Sequence, residues 1–366
     1  MASELFIGLM SGTSLDGVDV ALVKFDHAQQ LQLLKTHFVA YPVELRTQIL
    51  ALQHPTANEL ETTAQMGNTL AQLYADAVNA LLANAQLNSS TITAIGCHGQ
   101  TIRHRPELGF TMQIGNAALL SELTGITVIS DFRSRDIAAG GQGAPLVPAF
   151  HRDVFSHSTR NRAIINIGGI ANITYLSTTG TVFGFDSGPG NMLLDAWIKQ
   201  HLDLDYDADG QWASTGNTIK PLLASMLSEP YFAAAPPKST GRDLFNTSWL
   251  NHHLSQSACA AHDVARTLVA LSAHSITDAV RQHCGQVDEI YLCGGGAKNK
   301  LLQNELQALM TDITIATTEQ LGMGVDWVEA IAFAWLAKQC ITKQTANLPQ
   351  VTGAKGLRIL GAIYQA

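Results

Sequence analysis

Two apolar runs open the chain, Leu5 to Met10 and Val18 to Phe25, separated by the polar, glycine-bearing stretch Ser11-Gly12-Thr13-Ser14-Leu15-Asp16-Gly17. Short apolar runs bounded by turn residues predict two strands joined by a tight turn. From Thr56 to about Leu87 the apolar positions take helical spacing, at Leu60, Ala64, Met66, Leu70, Leu73, Ala77 and Leu81, with Thr56 or Asn58 as the cap. Ile92 to Cys97 and Ile126 to Ser130 predict short buried strands; they run into His98-Gly99-Gln100-Thr101 and Asp131-Phe132-Arg133. After Gly140-Gly141-Gln142-Gly143-Ala144-Pro145 the opening pattern returns, as Arg162 to Ile167, then Gly168-Gly169, then Ile170 to Leu176. Further on, the pattern predicts an amphipathic helix over Asp263 to Cys284 and a buried strand from Glu289 to Cys293. That strand enters Gly294-Gly295-Gly296-Ala297-Lys298-Asn299 and a helix from Leu301 to Met310. A last apolar helix covers Trp327 to Ile341, before a mixed tail that closes on a strand-like or helical segment. Interleaved strands and helices point to an α/β protein. The repeated strand–glycine turn–strand unit is either a single echo or the mark of two related lobes, with a boundary near residues 136–150.

Composition sharpens this picture. A length of 366 residues suggests about two domains, and 46% hydrophobic residues supply a substantial core. Only 14% are charged, against a usual share of about 25%. A net charge of −8 without a Lys/Arg cluster excludes an extended nucleic-acid footprint but leaves room for a small anionic substrate. No run of about 18 apolar residues is present, and Glu4 stands where a signal peptide carries base. The expectation is therefore a soluble cytoplasmic protein without a membrane partner. Cys97, Cys259, Cys284, Cys293 and Cys340 are scattered and form no C-x-x-C, which predicts reduced thiols and no structural zinc.

Four glycine turns sit at the mouths of apolar strands: Ser11 to Gly17, Gly168-Gly169, Asp186-Ser187-Gly188-Pro189-Gly190-Asn191, and Gly294 to Gly296. Glycine there lets the backbone approach a ligand, and free N–H groups make a nest for anions. Each alone reads as an ordinary turn; four together favour phosphate handling. Neither a P-loop nor a G-x-G-x-x-G opening is present. Asp186 is the candidate catalytic base, between an apolar strand and a Gly-Pro-Gly turn, or else an N-cap for the next helix. Asp195 on that helix reads as structural or solvent-facing. Asp16 and Asp19 either hold Mg²⁺ or set the first turn. Glu329 either faces a ligand or complements its helix dipole. His98 and Gln100 are binders of hydroxyl or carbonyl groups, or satisfied polar residues. Asp131, Arg133, Arg135 and Asp136 are a surface ion-pair loop or a sugar clamp.

In this order the motifs resemble the actin-like ATPase and sugar-kinase superfamily, in which two duplicated, ribonuclease-H-like lobes enclose ATP in the cleft between them. More narrowly, Gly8-Leu9-Met10-Ser11-Gly12-Thr13-Ser14-Leu15-Asp16-Gly17-Val18-Asp19 resembles the opening of the anhydro-N-acetylmuramic acid kinases. So do His98-Gly99-Gln100-Thr101, Asn166-Ile167-Gly168-Gly169-Ile170-Ala171-Asn172, Phe185 to Asn191, and Gly294 to Asn299. The resemblance implies an N-terminal lobe over 1–140 and a C-terminal lobe over 141–366, with a tail that packs back on the first. It implies a cytoplasmic, homodimeric enzyme of cell-wall recycling acting on a small amino sugar with ATP and Mg²⁺. By the same carry-over, Gly12, Thr13, Ser14, Leu15, Asp16, Gly17, Val18 and Asp19 bind ATP phosphates, with Gly168 and Gly169. Gly294, Gly295 and Gly296 lie against the adenosine, Asp186 activates water, and His98, Gln100, Asp131, Arg135 and Glu329 face the sugar. One departure is that sugar kinases usually carry an Asp in the first strand where this chain has Gly8-Leu9-Met10, leaving the metal to Asp16, Asp19 or water. The competing readings are a kinase of an ordinary free sugar, an actin-like switch ATPase and a non-catalytic sugar-binding module.

Overall fold

The computed structural model describes residues 4–12, 14–26, 31–55, 57–254 and 259–366. The chain divides into two compact units, one formed by Met1–Phe150 with Trp327–Ala366 and the other by His151–Asp326.

In the first unit β1 (Glu4–Met10), β2 (Gly17–Phe25) and β3 (Leu31–Ala40) form an antiparallel meander. Then β4 (Ile92–Cys97) adds in parallel to β1. A separate hairpin, β5 (Gln100–Arg105) and β6 (Phe110–Ile114), follows before β7 (Val128–Ser130) extends the sheet in parallel to β4. Helix Glu59–Ala85 supplies Leu70, Tyr74, Val78 and Leu81 to the core beneath this sheet. Its start lies three residues inside the sequence expectation: Asn58 is in the left-handed region at φ 56° and makes no side-chain cap bond. Thr56, the other proposed cap, lies outside the described residues.

The second unit repeats the plan. Strands β8 (Arg162–Ile167), β9 (Ile170–Leu176) and β10 (Val182–Pro189) form the antiparallel meander, and β11 (Glu289–Cys293) and β12 (Thr314–Thr317) add in parallel beyond β8. Helix Ala261–His283 buries Leu268, Leu271, Ile276 and Val280 against them. In both sheets the strands lie in the order third, second, first, fourth, fifth. That duplicated order is the ribonuclease-H-like lobe of the actin-like ATPases, and it resolves the repeated hairpin in favour of two related lobes.

The division departs from the boundary at residue 140. Helix Val328–Ile341, placed by sequence in the second lobe, returns to the first unit; in the tail that follows it, expected to pack back there, β13 (Ala362–Tyr364) pairs antiparallel with β7. From Val328 to Cys340 only Glu329 escapes burial, as expected of a helix apolar on nearly every face, and Lys338 and Gln339 are buried with the rest. Glycines in the sheet admit it. A Cβ on Gly8 would lie 1.7 Å from Ala330 O, and one on Gly96 2.0 Å from Phe333 O. The helix backbone therefore rests directly on β1 and β4.

A second correction concerns Asp186 to Asn191. Only its end turns, because β10 continues through Pro189, paired with β9 across an irregularity between Asp186 and Gly188.

Candidate active site

In open α/β sheets ligands collect at the carboxyl ends of parallel strands. In the first unit these ends carry Ser11, His98 and Asp131, immediately after β1, β4 and β7. The Ser11–Gly17 turn is held by its own backbone, with Leu15 N–H on Gly12 O at 3.4 Å and Leu15 at φ 59°. Ser14 Oγ donates to Asp16 Oδ1 at 2.6 Å, and Asp16 is exposed. Thr13 lies outside the described residues. Gly17, Val18 and Asp19 already belong to the β2 ladder, and the Val18 side chain is wholly buried, so Val18 can meet a ligand only through its backbone.

His98 and Gln100 do not face outward as the sugar-side expectation has them. His98 Nδ1 donates to Ser11 O at 3.2 Å, while Nε2 accepts from Arg133 at 2.9 and 3.2 Å. Burial, with the Arg133 charge beside it, pushes the imidazole down to about 3, so it is neutral and engaged at both nitrogens. Gln100 is 0% exposed; its Oε1 accepts from Ser11 Oγ at 2.5 Å and its Nε2 donates to Gly12 O at 3.2 Å. With every strong donor and acceptor on both side chains occupied, they brace the Ser11–Gly12 backbone.

Within the 131–136 cluster the residues separate. Asp131 and Arg135 are exposed, Asp131 at φ 56°. Arg133 turns inward to His98 and Gly143 O; burial lowers its pKa to about 10, against the pull of Glu329 in the first turn of helix Val328–Ile341. The structure thus brings Glu329, Arg133 and His98 together. Asp136 is fully buried and accepts from Gly143 N–H, Asn347 Nδ2 and Thr352 Oγ1, each at 2.8 Å, which makes it a structural tie.

In the second unit Asp186 is not a helix cap. Its Oδ2 accepts from Thr240 N–H at 3.0 Å, its N–H donates to Lys238 O at 3.2 Å, and its carbonyl accepts from Tyr231 Oη at 2.8 Å. Burial pushes the carboxyl up to about 6, opposed by the Thr240 N–H and the Lys238 charge. Lys238 Nζ donates to the Tyr231 and Phe232 carbonyls, both at 3.2 Å, and lies 4.8 Å from the Tyr231 ring centroid. Tyr231, Lys238 and Thr240 escaped the sequence reading. The one signal was the polar stretch Lys238-Ser239-Thr240-Gly241 after two prolines, about fifty residues from Asp186. Thr240 Oγ1 is buried without a partner. Asp195 is half-buried and its carboxyl is also raised by burial, to about 7, with Arg242 opposing.

The glycine turns of this unit adjoin, because Asn166 at the end of β8 pairs with Cys293 at the end of β11. The carbonyls of Gly168 and Gly169 take the N–H groups of Gly190, Asn191 and Met192, so the start of helix Met192–Leu202 is occupied by the hairpin. Gly294 sits at φ 80°, and a Cβ there would lie 2.3 Å from Asn166 Oδ1. Around Gly295 nothing lies within 4 Å of that position, leaving its backbone open to a ligand. Among the described residues no group of three His, Cys, Asp or Glu is arranged to hold a metal, and no helix is long and apolar enough to cross a membrane.

Comparison with known proteins bears directly on this arrangement. The family model described as anhydro-N-acetylmuramic acid kinase matches residues 4–366. An anhydro-N-acetylmuramic acid kinase of Thiobacillus denitrificans is 52% identical over 366 residues, covering 100% of this chain and 98% of that protein. Kinases of the same name from Nitrosomonas europaea and Pseudomonas putida are 52% and 50% identical, each over 363 residues and 99% of both chains. The motifs at Gly8–Asp19, Asn166–Asn172, Phe185–Asn191 and Gly294–Asn299 lie inside a full-length match, and the chain belongs to the anhydro-N-acetylmuramic acid kinase family.

Proposed function

We propose that this chain is the ATP-dependent kinase that opens 1,6-anhydro-N-acetylmuramic acid with water and phosphorylates O6. The products are N-acetylmuramic acid 6-phosphate and ADP, in cell-wall recycling. The observation that carries the reading is family membership across the whole chain at about half identity. The same reading makes the enzyme cytoplasmic and homodimeric.

In an anhydro sugar O6 is tied to C1, so there is no free hydroxyl to deprotonate. Asp186 takes a proton from water, whose oxygen bonds to C1. The C1–O6 bond breaks with its electron pair on O6, which attacks the γ-phosphorus in line as ADP departs. A carboxyl near 6 is ionised at neutral pH and basic enough to assist this transfer. Thr240 N–H fixes Oδ2, which orients the carboxylate. Backbone amides of the Gly12–Asp19 turn and of Gly168-Gly169 receive phosphate oxygens, and Gly294 to Gly296 receive the adenosine. Glu329, Asp131 and Arg135 remain the sugar-side residues. Mg²⁺ typically takes one or two carboxylates with substrate phosphates and water, so the donor set in this turn fits it. Asp16 and Asp19 would hold it, directly or through water, and when bound it neutralises triphosphate charge.

The test is incubation with 1,6-anhydro-N-acetylmuramic acid, Mg-ATP and ¹⁸O-water, read promptly by mass spectrometry. One ¹⁸O at C1 of the phosphorylated sugar and none in its phosphoryl group is expected. Phosphorylation of free sugars only, or ATP hydrolysis without sugar product, overturns the substrate.

A further inference from the structure

We propose that Tyr41 is a positioning residue that sets the phosphate-binding turn through Ser11, with Tyr74 behind it; this rests on the turn's role under the proposed function. Tyr41 directly follows β3 and reaches both flanks of the turn. Its backbone N–H donates to Asp16 O at 2.9 Å, and its phenol donates to Ser11 Oγ at 2.7 Å. Ser11 Oγ passes its own hydrogen to Gln100 Oε1 at 2.5 Å, and Gln100 Nε2 donates to Gly12 O. Since the single hydrogen of Tyr41 is committed to Ser11, the 3.0 Å contact between the two phenols runs from Tyr74 to Tyr41. A one-way relay results: Tyr74, Tyr41, Ser11, Gln100, then the Gly12 carbonyl.

Every side chain of the relay is buried. Burial raises both phenols, Tyr41 to about 12, which keeps their protons in place at any working pH. Two consequences follow. The Ser11 hydroxyl, accepting from Tyr41 and donating to Gln100, is spent inside the protein, so Ser11 offers phosphate only its backbone. Tyr74 also belongs to helix Glu59–Ala85, so a 27-residue helix anchors a turn that glycine would otherwise leave loose.

Tyr41→Phe removes the phenol bond and keeps the ring and the Asp16 bond. Loss of one buried hydrogen bond of the usual strength predicts roughly a five- to tenfold weaker Kd for a non-hydrolysable Mg-ATP analogue by calorimetry. The KM for the sugar should stay within about twofold. Ser11→Ala should give a similar loss, and the double variant should be no worse than Ser11→Ala alone, because both act through one hydroxyl. Near-ultraviolet circular dichroism confirms that the variants are folded; should Tyr41→Phe misfold, Tyr74→Phe replaces it, with a smaller loss in the same direction. Unchanged nucleotide affinity, equal losses for nucleotide and sugar, or losses that multiply in the double variant overturn the relay. A wild type that binds nucleotide but makes no product from the anhydro sugar defeats the proposed substrate and leaves this test intact. A wild type that binds no nucleotide defeats both.

Discussion

Replacing Asp186 by asparagine tests whether the candidate base is held at a cost to stability. The folded carboxyl titrates near 6 against an ordinary 3.8, a difference of about 2.2. At 1.36 kcal/mol per pH unit this comes to about 3 kcal/mol. The raised folded value fixes the sign. As pH climbs from about 3.8 to 6 the unfolded chain loses its proton first, so stability falls through that window, and the full penalty stands above pH 6. Asparagine resembles the protonated carboxyl and escapes it. Asp186→Asn should therefore be more stable than the wild type by up to about 3 kcal/mol at pH 7.5, by about half that at pH 5, and by almost nothing near pH 3.5. Urea unfolding at the three pH values measures the difference. Turnover should fall by about 10²–10⁴-fold with nucleotide binding retained, and the wild-type rate should lose activity on the acid side with a midpoint near pH 6. A variant no more stable at pH 7.5, or equally stabilised at every pH, refutes the buried ionised carboxylate. Turnover above a tenth of the wild type refutes its role as the base.

Two further perturbations probe the frame around the site. Gly8→Ala should cost more than about 4 kcal/mol, because its Cβ meets backbone of helix Val328–Ile341 and not a movable side chain; loss of the cooperative urea transition would be the readout. Asp136→Ala strands the Gly143 N–H, the Asn347 amide and the Thr352 hydroxyl, which predicts a loss of about 3 kcal/mol or more by the same measurement. Exposed Arg135→Ala, the control, should stay within about 0.5 kcal/mol.

Apolar runs made the strands at Leu5–Met10, Val18–Phe25 and Ile164–Leu176 legible, because their neighbours in the sheet are their neighbours in the chain. Helix Val328–Ile341 was legible as a buried helix, yet its sheet was not: a helix apolar on nearly every face carries no address. The address lay in Gly8 and Gly96, two glycines at mid-strand where only a closely packed backbone explains them. At the site, residue types outran their roles. His98 and Gln100 are the kinds of side chain that bind sugars, but a sequence does not show that Ser11, Gly12 and Arg133 already occupy their polar atoms. Thr240 reaches Asp186 with a backbone N–H, a donor that every residue but proline has, so no pattern could mark it.

The return of the last forty residues to the first unit has a meaning for synthesis. A chain leaving the ribosome in order presents β1, with Gly8, and β4, with Gly96, long before the helix that covers them exists. The second unit is continuous, so all of its strands have emerged while the first sheet still lacks one face. The unit whose strands emerge first is thus completed after the second. Through that interval the face of β1 and β4 that carries Phe6, Gly8, Ala94 and Gly96 is an uncovered apolar surface of the nascent chain, a natural footing for a chaperone.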